Sequence, residues 1–485
     1  KFLKALKLHQ GGDFKNAEMS YKKILVEHPN EIDTLHNLSM LAIQTNKPDI
    51  AVKLVNKVIN LQPSFHVAYN TRGIAFRSQN KYTLAMQDFE KAISINTKYA
   101  ESYLNLAIIL IILKNFEQAL SYCNEAIKLN SSYSEAYNTQ GIIFLQREQF
   151  LESIKSFDNA IKYNLNYYEA YNNKAKSLLK INKSIEAVEE FKKAIKINPR
   201  HIETYINIAN EFLNMKKFSL SLKYCGIALN IDNKFEDAYL VKGRVHLKMN
   251  NANIAIENYK KCLFINKKNI FALNGIGNAY MILKQNHKAI NFYKKAISIN
   301  NKYADAHANL GLAHYKSRDN KQAIKHFKIS LSNNLNCAET LINLGNSYLQ
   351  LYMNDKALKY YNKAIEINPK YAEAYNNKGN ILRFYKKYDE AIISYNTALK
   401  LKPDLKLLFS SLMFTKMNVC DWKNIYEDRE NFKNILSKKP HYTHHPFSSL
   451  SILNDPKDHK IIGQRFVNNN YPEQKNLNEI KPNNK

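Results

Sequence analysis

The chain has 485 residues, of which only 12 are Gly and 11 Pro, about 5% together against an average near 12%. That scarcity excludes collagen-like sequence, argues against Gly- or Pro-rich disorder, and replaces the roughly three globular domains suggested by length with helices joined by short, uniform connections. Lys and Arg total 71 against 42 Asp and Glu, a net charge of +29, and the longest apolar run, Leu106–Leu113, is far short of the ~20 residues of a membrane span.

From the N-terminus onward one unit repeats every 34 residues. A column of small residues runs Ala5, Ser39, Gly73, Ala107, Gly141, Ala175, Ala209, Gly243, Gly277, Gly311, Gly345, Gly379, with no insertion or deletion. Twelve residues on lies a second column of Ala and Ser, from Ala17 to Ala391. A third, mostly Ala, runs from Ala92 to Ala398 and includes Cys262 and Ser330, so Cys262 reads as a small packing residue. Tyr69, Tyr103, Tyr137, Tyr171, Tyr205, Tyr239 and Tyr375 stand four residues before the first column. Tyr21, Phe89, Phe157, Phe191, Tyr259, Tyr293, Phe327, Tyr361 and Tyr395 stand four after the second. Pro29, Pro63, Pro199, Pro369 and Pro403 share one phase. Residues four apart share a helix face. Small residues let two antiparallel helices approach, aromatics fill the space beside them, and Pro ends the second helix.

The pattern resembles the tetratricopeptide repeat (TPR), whose 34-residue unit is two antiparallel helices. The resemblance covers residues 1–405 as twelve units, the first missing its start. It implies an all-α fold, a right-handed superhelix (α-solenoid) with an extended concave surface that serves as a binding platform. In TPR proteins the first helix of each unit lines the concave side. One column there is Asn37, Asn105, Asn173, Asn207, Asn309, Asn343 and Asn377, seven of eleven complete units, interrupted by Thr71, Thr139, Val241 and Gly275. Amides both donate and accept, so such a column can hold the backbone of an extended peptide. It resembles the asparagine ladder of protein O-GlcNAc transferases. The competing reading is that Asn is abundant here and tolerated on an exposed face. His307 and His314, seven apart on one face, occupy columns filled elsewhere by aromatics or Leu, and read as packing rather than metal ligands.

After Pro403 the small-residue columns stop, and residues 406–470 read as a helical linker followed by a polar tail, 471–485. The only Trp lies in Cys420-Asp421-Trp422; a helix is expected over Lys423–Ser437, then His441, His444, His445 and Pro446. The three His lack Cys or carboxylate companions at metal-site spacing. A repeat superhelix, Cys-Asp-Trp, a helix and a His-Pro turn resembles the region joining the repeats to the catalytic half of O-GlcNAc transferases (glycosyltransferase family 41), bacterial members especially. Leu407–Leu453 carries the match and Asp455–Asn468 continues it as a helix. Phe447 and Ser448 follow Pro446, so the rim His of the family's animal members is not carried over.

The resemblance implies the acceptor-recruiting part of an enzyme that moves N-acetylglucosamine from UDP-GlcNAc to Ser/Thr hydroxyls. The chain begins at Lys1 and is expected to be a piece of such a protein. It has no Gly-rich phosphate loop and no alternating strand–helix region, so no catalytic residue, cofactor or metal is expected in it. Extended segments of acceptor proteins are the expected partners, with homodimerisation through the repeats. The alternative is a stand-alone TPR scaffold without chemistry. A third reading, a platform for an anionic partner, is disfavoured: only nine of the 71 basic residues are Arg and the Lys are scattered. Cys123, Cys225, Cys262, Cys337 and Cys420 form no C-x-x-C pair, which suits a reducing cytoplasm.

Overall fold

The computed structural model describes residues 1–403, 405, 407–438, 446, 453 and 455–470. Among them lie 27 helices and no strand. Lys1–Ala238 and Tyr239–Lys485 are two compact units. Within each, consecutive helices pair in the same way. Ala100–Ile112 and Phe116–Leu129 form one such pair in the first unit; Ala304–Lys316 and Asn320–Asn333 form one in the second. Three residues join the two helices of each of these pairs, so the second folds back on the first.

Counting His66 as position 1 of its repeat puts Gly73 at position 8 and Phe89 at position 24. A Cβ built on Gly73 would come within 2.5 Å of the Phe89 ring, on Gly141 within 2.6 Å of Phe157, and on Gly243 within 2.5 Å of Tyr259. The same holds for Gly311 with Phe327, Gly345 with Tyr361 and Gly379 with Tyr395. Carbon atoms prefer ~3.5–4.0 Å, so at these separations the ring leaves no room for a methyl. Where position 24 is small the rule relaxes: Val55, Cys123 and Cys225 face repeats whose position 8 is Ser39, Ala107 and Ala209. Most pairs thus exchange size between the two helices; Tyr21 opposite Ala5 and Phe191 opposite Ala175, all fully buried, accommodate both a ring and a methyl. Cys123 and Cys225 are fully buried, and burial pushes the Cys123 thiol up to about 12, as suits a packing residue.

The turn inside each pair has a left-handed residue at position 15. Asn46, Asn80, Lys114, Glu148, Asn182, Lys216, Asn250, Lys284, Arg318, Tyr352 and Lys386 have φ between 56° and 63°. Behind each, the next N–H donates to the carbonyl five residues back, as Lys47 N to Ala42 O at 2.7 Å, closing the carbonyl end of the helix. The turn between repeats is closed mostly by Asn. Backbone N–H groups of Lys98, Ser132, Asn166, Arg200, Lys268, Lys302 and Lys370 donate to the side-chain oxygens of Asn96, Asn130, Asn164, Asn198, Asn266, Asn300 and Asn368. Such Asx turns close the junction both where Pro follows, at Asn198-Pro199 and Asn368-Pro369, and where it is absent.

The packing continues past residue 405. Helices Leu408–Asn418 and Ile425–Lys438 form a further hairpin whose turn holds Cys420 at φ 53°, again 34 residues after Lys386. Asp421 N donates to Lys416 O at 3.0 Å. The Cys-Asp-Trp sequence is therefore the turn of a thirteenth, altered pair. Phe409 stacks on Phe432 at 4.8 Å. Together with Leu453 and Ile462, which lies in helix Pro456–Asn470, they cover Leu382, Tyr395 and Ala398 of the last full repeat. Lys416 and Asp428, both mostly buried, pair at 2.6 Å beneath this cap. His441, His444, His445 and the tail 471–485 lie outside the described residues.

Candidate peptide-binding face

Positions 5 and 6 of the first helices carry the amide column. Asn105 is buried and the other six asparagines are half-buried. The sequence placed them in one column; the structure adds a second, one residue earlier. The Nδ2 of Asn105 donates to the Oδ1 of Asn70 at 3.0 Å. Asn173 donates to Asn138 at 3.2 Å, Asn207 to Asn172 at 3.4 Å and Asn309 to Asn274 at 3.0 Å. Each acceptor lies 35 residues before its donor, so these bonds run from repeat to repeat. The signal was present as Asn70, Asn138, Asn172 and Asn274, but only stacking tells which neighbour an amide meets.

The seven are not equivalent. Asn105 is closed: its oxygen accepts from the Arg77 guanidinium at 2.8 Å. Asn37 turns back to the Asp33 carbonyl of its own helix at 2.8 Å. Asn377 donates to Asn346 at 3.0 Å and accepts from Asn376 at 3.4 Å. Asn173, Asn207 and Asn309 each use one N–H on the neighbouring repeat, and no further bond engages their second N–H or their oxygen. The Asn343 side chain makes no hydrogen bond. The held amides are oriented by a buried partner and still offer a donor and an acceptor, which is what an extended backbone presents at each residue.

The interruptions have physical causes. Thr71 and Thr139 bond back to the carbonyls of Val67 and Glu135 on their own helices. Gly275 lies against the Tyr259 ring of the preceding repeat: a Cβ there would stand 2.5 Å from it. Elsewhere a position-24 Tyr directs its hydroxyl to an Asn of its own repeat, Tyr293 to Asn278 at 2.7 Å and Tyr361 to Asn346 at 2.7 Å. The residue at that place before Tyr259 is Arg244.

Half-buried tyrosines stand beside the column at the repeat junctions. Tyr167 and Tyr303 are pushed up to about 12 by burial and, next, by the carboxylates of Glu135 and Asp305 respectively, so they are neutral donors at any physiological pH. His307 and His314 are joined by a third imidazole, His326 from the second helix. His307 Nδ1 and His326 Nδ1 are 3.1 Å apart, and His314 stacks on His326 at 5.8 Å. Other repeats fill this place with Tyr and Phe, as Tyr348 on Tyr360 at 5.5 Å. The trio is thus an aromatic stack built of imidazoles. Among the described residues no group of three or more His, Cys, Asp or Glu is arranged to hold a metal ion, and no helix is long and apolar enough to cross a membrane.

Family comparisons agree with this anatomy. The profile described as TPR repeat matches residues 73–111 and 277–317. Profiles described as tetratricopeptide repeat match 100–133, 338–371 and 372–405, and, in a second version, 168–201 and 236–269. Five of these seven stretches, the 34-residue ones, each start on the first helix of a pair and contain that pair. This is a tetratricopeptide-repeat protein. No curated protein sequence matches the chain. Among solved structures, the APC/C hetero-tetramer Cut9–Hcn1 is similar at 14% identity and TM-score 0.47, over 85% of this chain and 95% of that one. Yeast Tom70 is similar at 16% and 0.45, over 89% and 97%. YrrB, described as a TPR protein with an unusual peptide-binding site, is similar at 23% and 0.33, over 38% and 95%.

Proposed function

We propose that this TPR protein holds an extended stretch of polypeptide through the amides of its first helices. The observation that carries the reading is the repeat-to-repeat bonding of Asn173, Asn207 and Asn309, which orients each amide and leaves part of it open. Because backbone is what amides match, the face accepts many sequences. Asn343, with no internal bond to lose, gives the cleanest test. Affinity for a labelled, unstructured Ser/Thr-containing peptide of twenty residues is expected to fall at least tenfold when Asn173, Asn207, Asn309 and Asn343 are all changed to Ala. It should fall measurably for Asn343→Ala alone, since one hydrogen bond is worth ~0.5–1.5 kcal/mol. Unchanged affinity in both, with helix content intact, refutes the reading.

The finer proposal is that the module recruits acceptors for an O-GlcNAc transferase-like enzyme that uses UDP-GlcNAc. It is supported by the resemblance of Cys420-Asp421-Trp422 and the helices that follow it, which the fold places as a cap on the last repeat. The coding sequence downstream of Lys485 tests it. A frame continuing into a two-lobed nucleotide-sugar domain is the expected result; a stop there leaves a protein-binding scaffold.

A further inference from the structure

A cleft of about 1060 Å³ opens in the second unit, where the ends of helices Ala338–Leu349, Ala372–Phe384 and Leu408–Asn418 meet. Its lining reverses the repeat pattern. Position 13 is polar in eight of the ten other complete repeats but is Phe384 here, 70% exposed. Position 15 is Asn, Lys, Glu or Arg in every other complete repeat but is Tyr352 here, 92% exposed and left-handed at φ 57°. Position 12 is mostly apolar elsewhere but is Arg383 here. Exposed aromatics are ordinary when single, but several gathered in one cleft mark an interaction site.

The charges in the cleft are as informative as the rings. Arg383 makes no ion pair and lies across Phe414, 5.4 Å from its centroid. Lys356 makes none either and sits 5.7 Å from the Tyr348 centroid. The carboxylate lining the cleft, Asp355, accepts from the Tyr385 hydroxyl at 2.7 Å. Two cations are thus held against aromatic faces with one anion, itself engaged. Asn380 also lines the cleft. It lies three residues from Asn377 on one helix, hence on a neighbouring part of the same face, with its oxygen accepting from the Tyr395 hydroxyl at 2.8 Å, so the cleft adjoins the end of the amide column.

We propose that this cleft is an anchor site for one apolar or aromatic side chain flanked by carboxylates, on a polypeptide whose backbone lies on the neighbouring amides. The ring or branched chain packs on Phe384, Tyr352 and Phe414, and the carboxylates face Arg383 and Lys356. The inference rests on the amide-column reading and gives that otherwise sequence-tolerant face a preferred register. It also assigns part of the positive charge a chemical purpose that scattered lysines do not have.

The test uses the full chain and three labelled peptides of equal length: Phe between Asp-Glu pairs, Phe between Lys-Arg pairs, and Ser between Asp-Glu pairs. The first is expected to bind at least tenfold more tightly than either of the others. Phe384→Ser should erase its advantage over the Ser peptide, and Arg383→Gln its advantage over the basic peptide. Phe384 is exposed, so its variant folds, and an intact circular-dichroism melt checks both. Equal binding of the three peptides overturns the proposal. So does binding that falls in Asn343→Ala/Asn377→Ala but not in Phe384→Ser, which leaves the amide reading standing. Loss in Phe384→Ser and Arg383→Gln with no loss in the Asn variant supports the anchor and removes the amide reading.

Discussion

Gly141→Ala puts the rule of helix approach to a quantitative test. In a helix, Ala is favoured over Gly by ~0.5–1 kcal/mol, so propensity alone predicts a gain. The added Cβ would stand 2.6, 2.7 and 2.8 Å from three atoms of the Phe157 ring. Phe157 is fully buried, so the methyl fits only if the helix pair shifts, as it is already spaced where Ala175 stands opposite the buried Phe191. Overpacking of one methyl in such a site costs ~1–3 kcal/mol, leaving a net loss of up to about 2.5 kcal/mol. Gly226 supplies the control: it is helical, and a Cβ there meets nothing within 4 Å. Gly226→Ala should therefore stabilise by the full ~0.5–1 kcal/mol. Repeat arrays unfold locally, so the readout is amide hydrogen exchange in Ser134–Gln146 and Phe150–Tyr163 for the first variant, and in Phe218–Ile231 for the second. Adding Phe157→Cys to Gly141→Ala reproduces the pairing of Ala107 with Cys123. It should recover part of what Phe157→Cys alone loses, a coupling of about 1 kcal/mol or more. If Gly141→Ala slows exchange as Gly226→Ala does, the volume argument is wrong.

The left-handed turns give a second test: Lys216, at φ 59°, changed to Gly should raise the protection of the flanking helices by a few tenths to ~1 kcal/mol, and no gain would show the turn to be unstrained. The imidazole trio gives a third. Burial, reinforced by His307, His314, Lys325 and, from the second helix of the preceding repeat, Lys294, holds His326 down to about 4, and burial lowers His307 and His314 too, with Asp319 opposing it at His314. Depressed imidazoles bind protons more readily in the unfolded chain, so their contribution is complete above about pH 6.5 and is lost as pH falls toward 4. His326→Tyr, the residue type of neighbouring repeats, should flatten that acid loss, seen as hydrogen exchange in Asn320–Asn333 at pH 4.5 against 7.5; an unchanged slope refutes it. Lys416→Met should cost ~3 kcal/mol by leaving Asp428 uncompensated, and Lys416→Met/Asp428→Leu should restore most of it, measured by thermal unfolding; equal loss in both would mean that packing, not charge, is at stake there.

Much of the fold was legible because its causes are local. Gly, Ala and aromatic residues recur at spacings of four, twelve and 34, and these are distances along a helix or between two helices joined by three residues. Period and helix phase followed, and so did the place of the Asn column on the first helices. The inference from scarce Gly was right about helices but hid a detail. The left-handed turn that would ordinarily take Gly is filled here by Lys, Glu, Arg and Tyr as well as Asn, residues that carry no turn signal. Packing of the flanking helices outweighs a cost of ~1 kcal/mol per turn. The junction Asn column acts through its oxygens on backbone two residues away, a role that the turn geometry, and not composition, reveals.

The sequence alone thus determined the repeat, its helical pairs and the face on which the amides stand, because each depends on neighbours along the chain. Only the tertiary structure decided which amides are spent and which are open. Asn105 and Asn343 look alike in sequence, yet one is bonded at both ends and buried, the other unbonded and half-exposed. It also decided that His326 completes the trio, that Cys420 sits in a repeat turn, and that Arg383, Phe384 and Tyr352 share one cleft. In each case the partner lies in another helix, and the side-chain distance that sets the chemistry is fixed by how repeats stack, which a period of 34 does not contain.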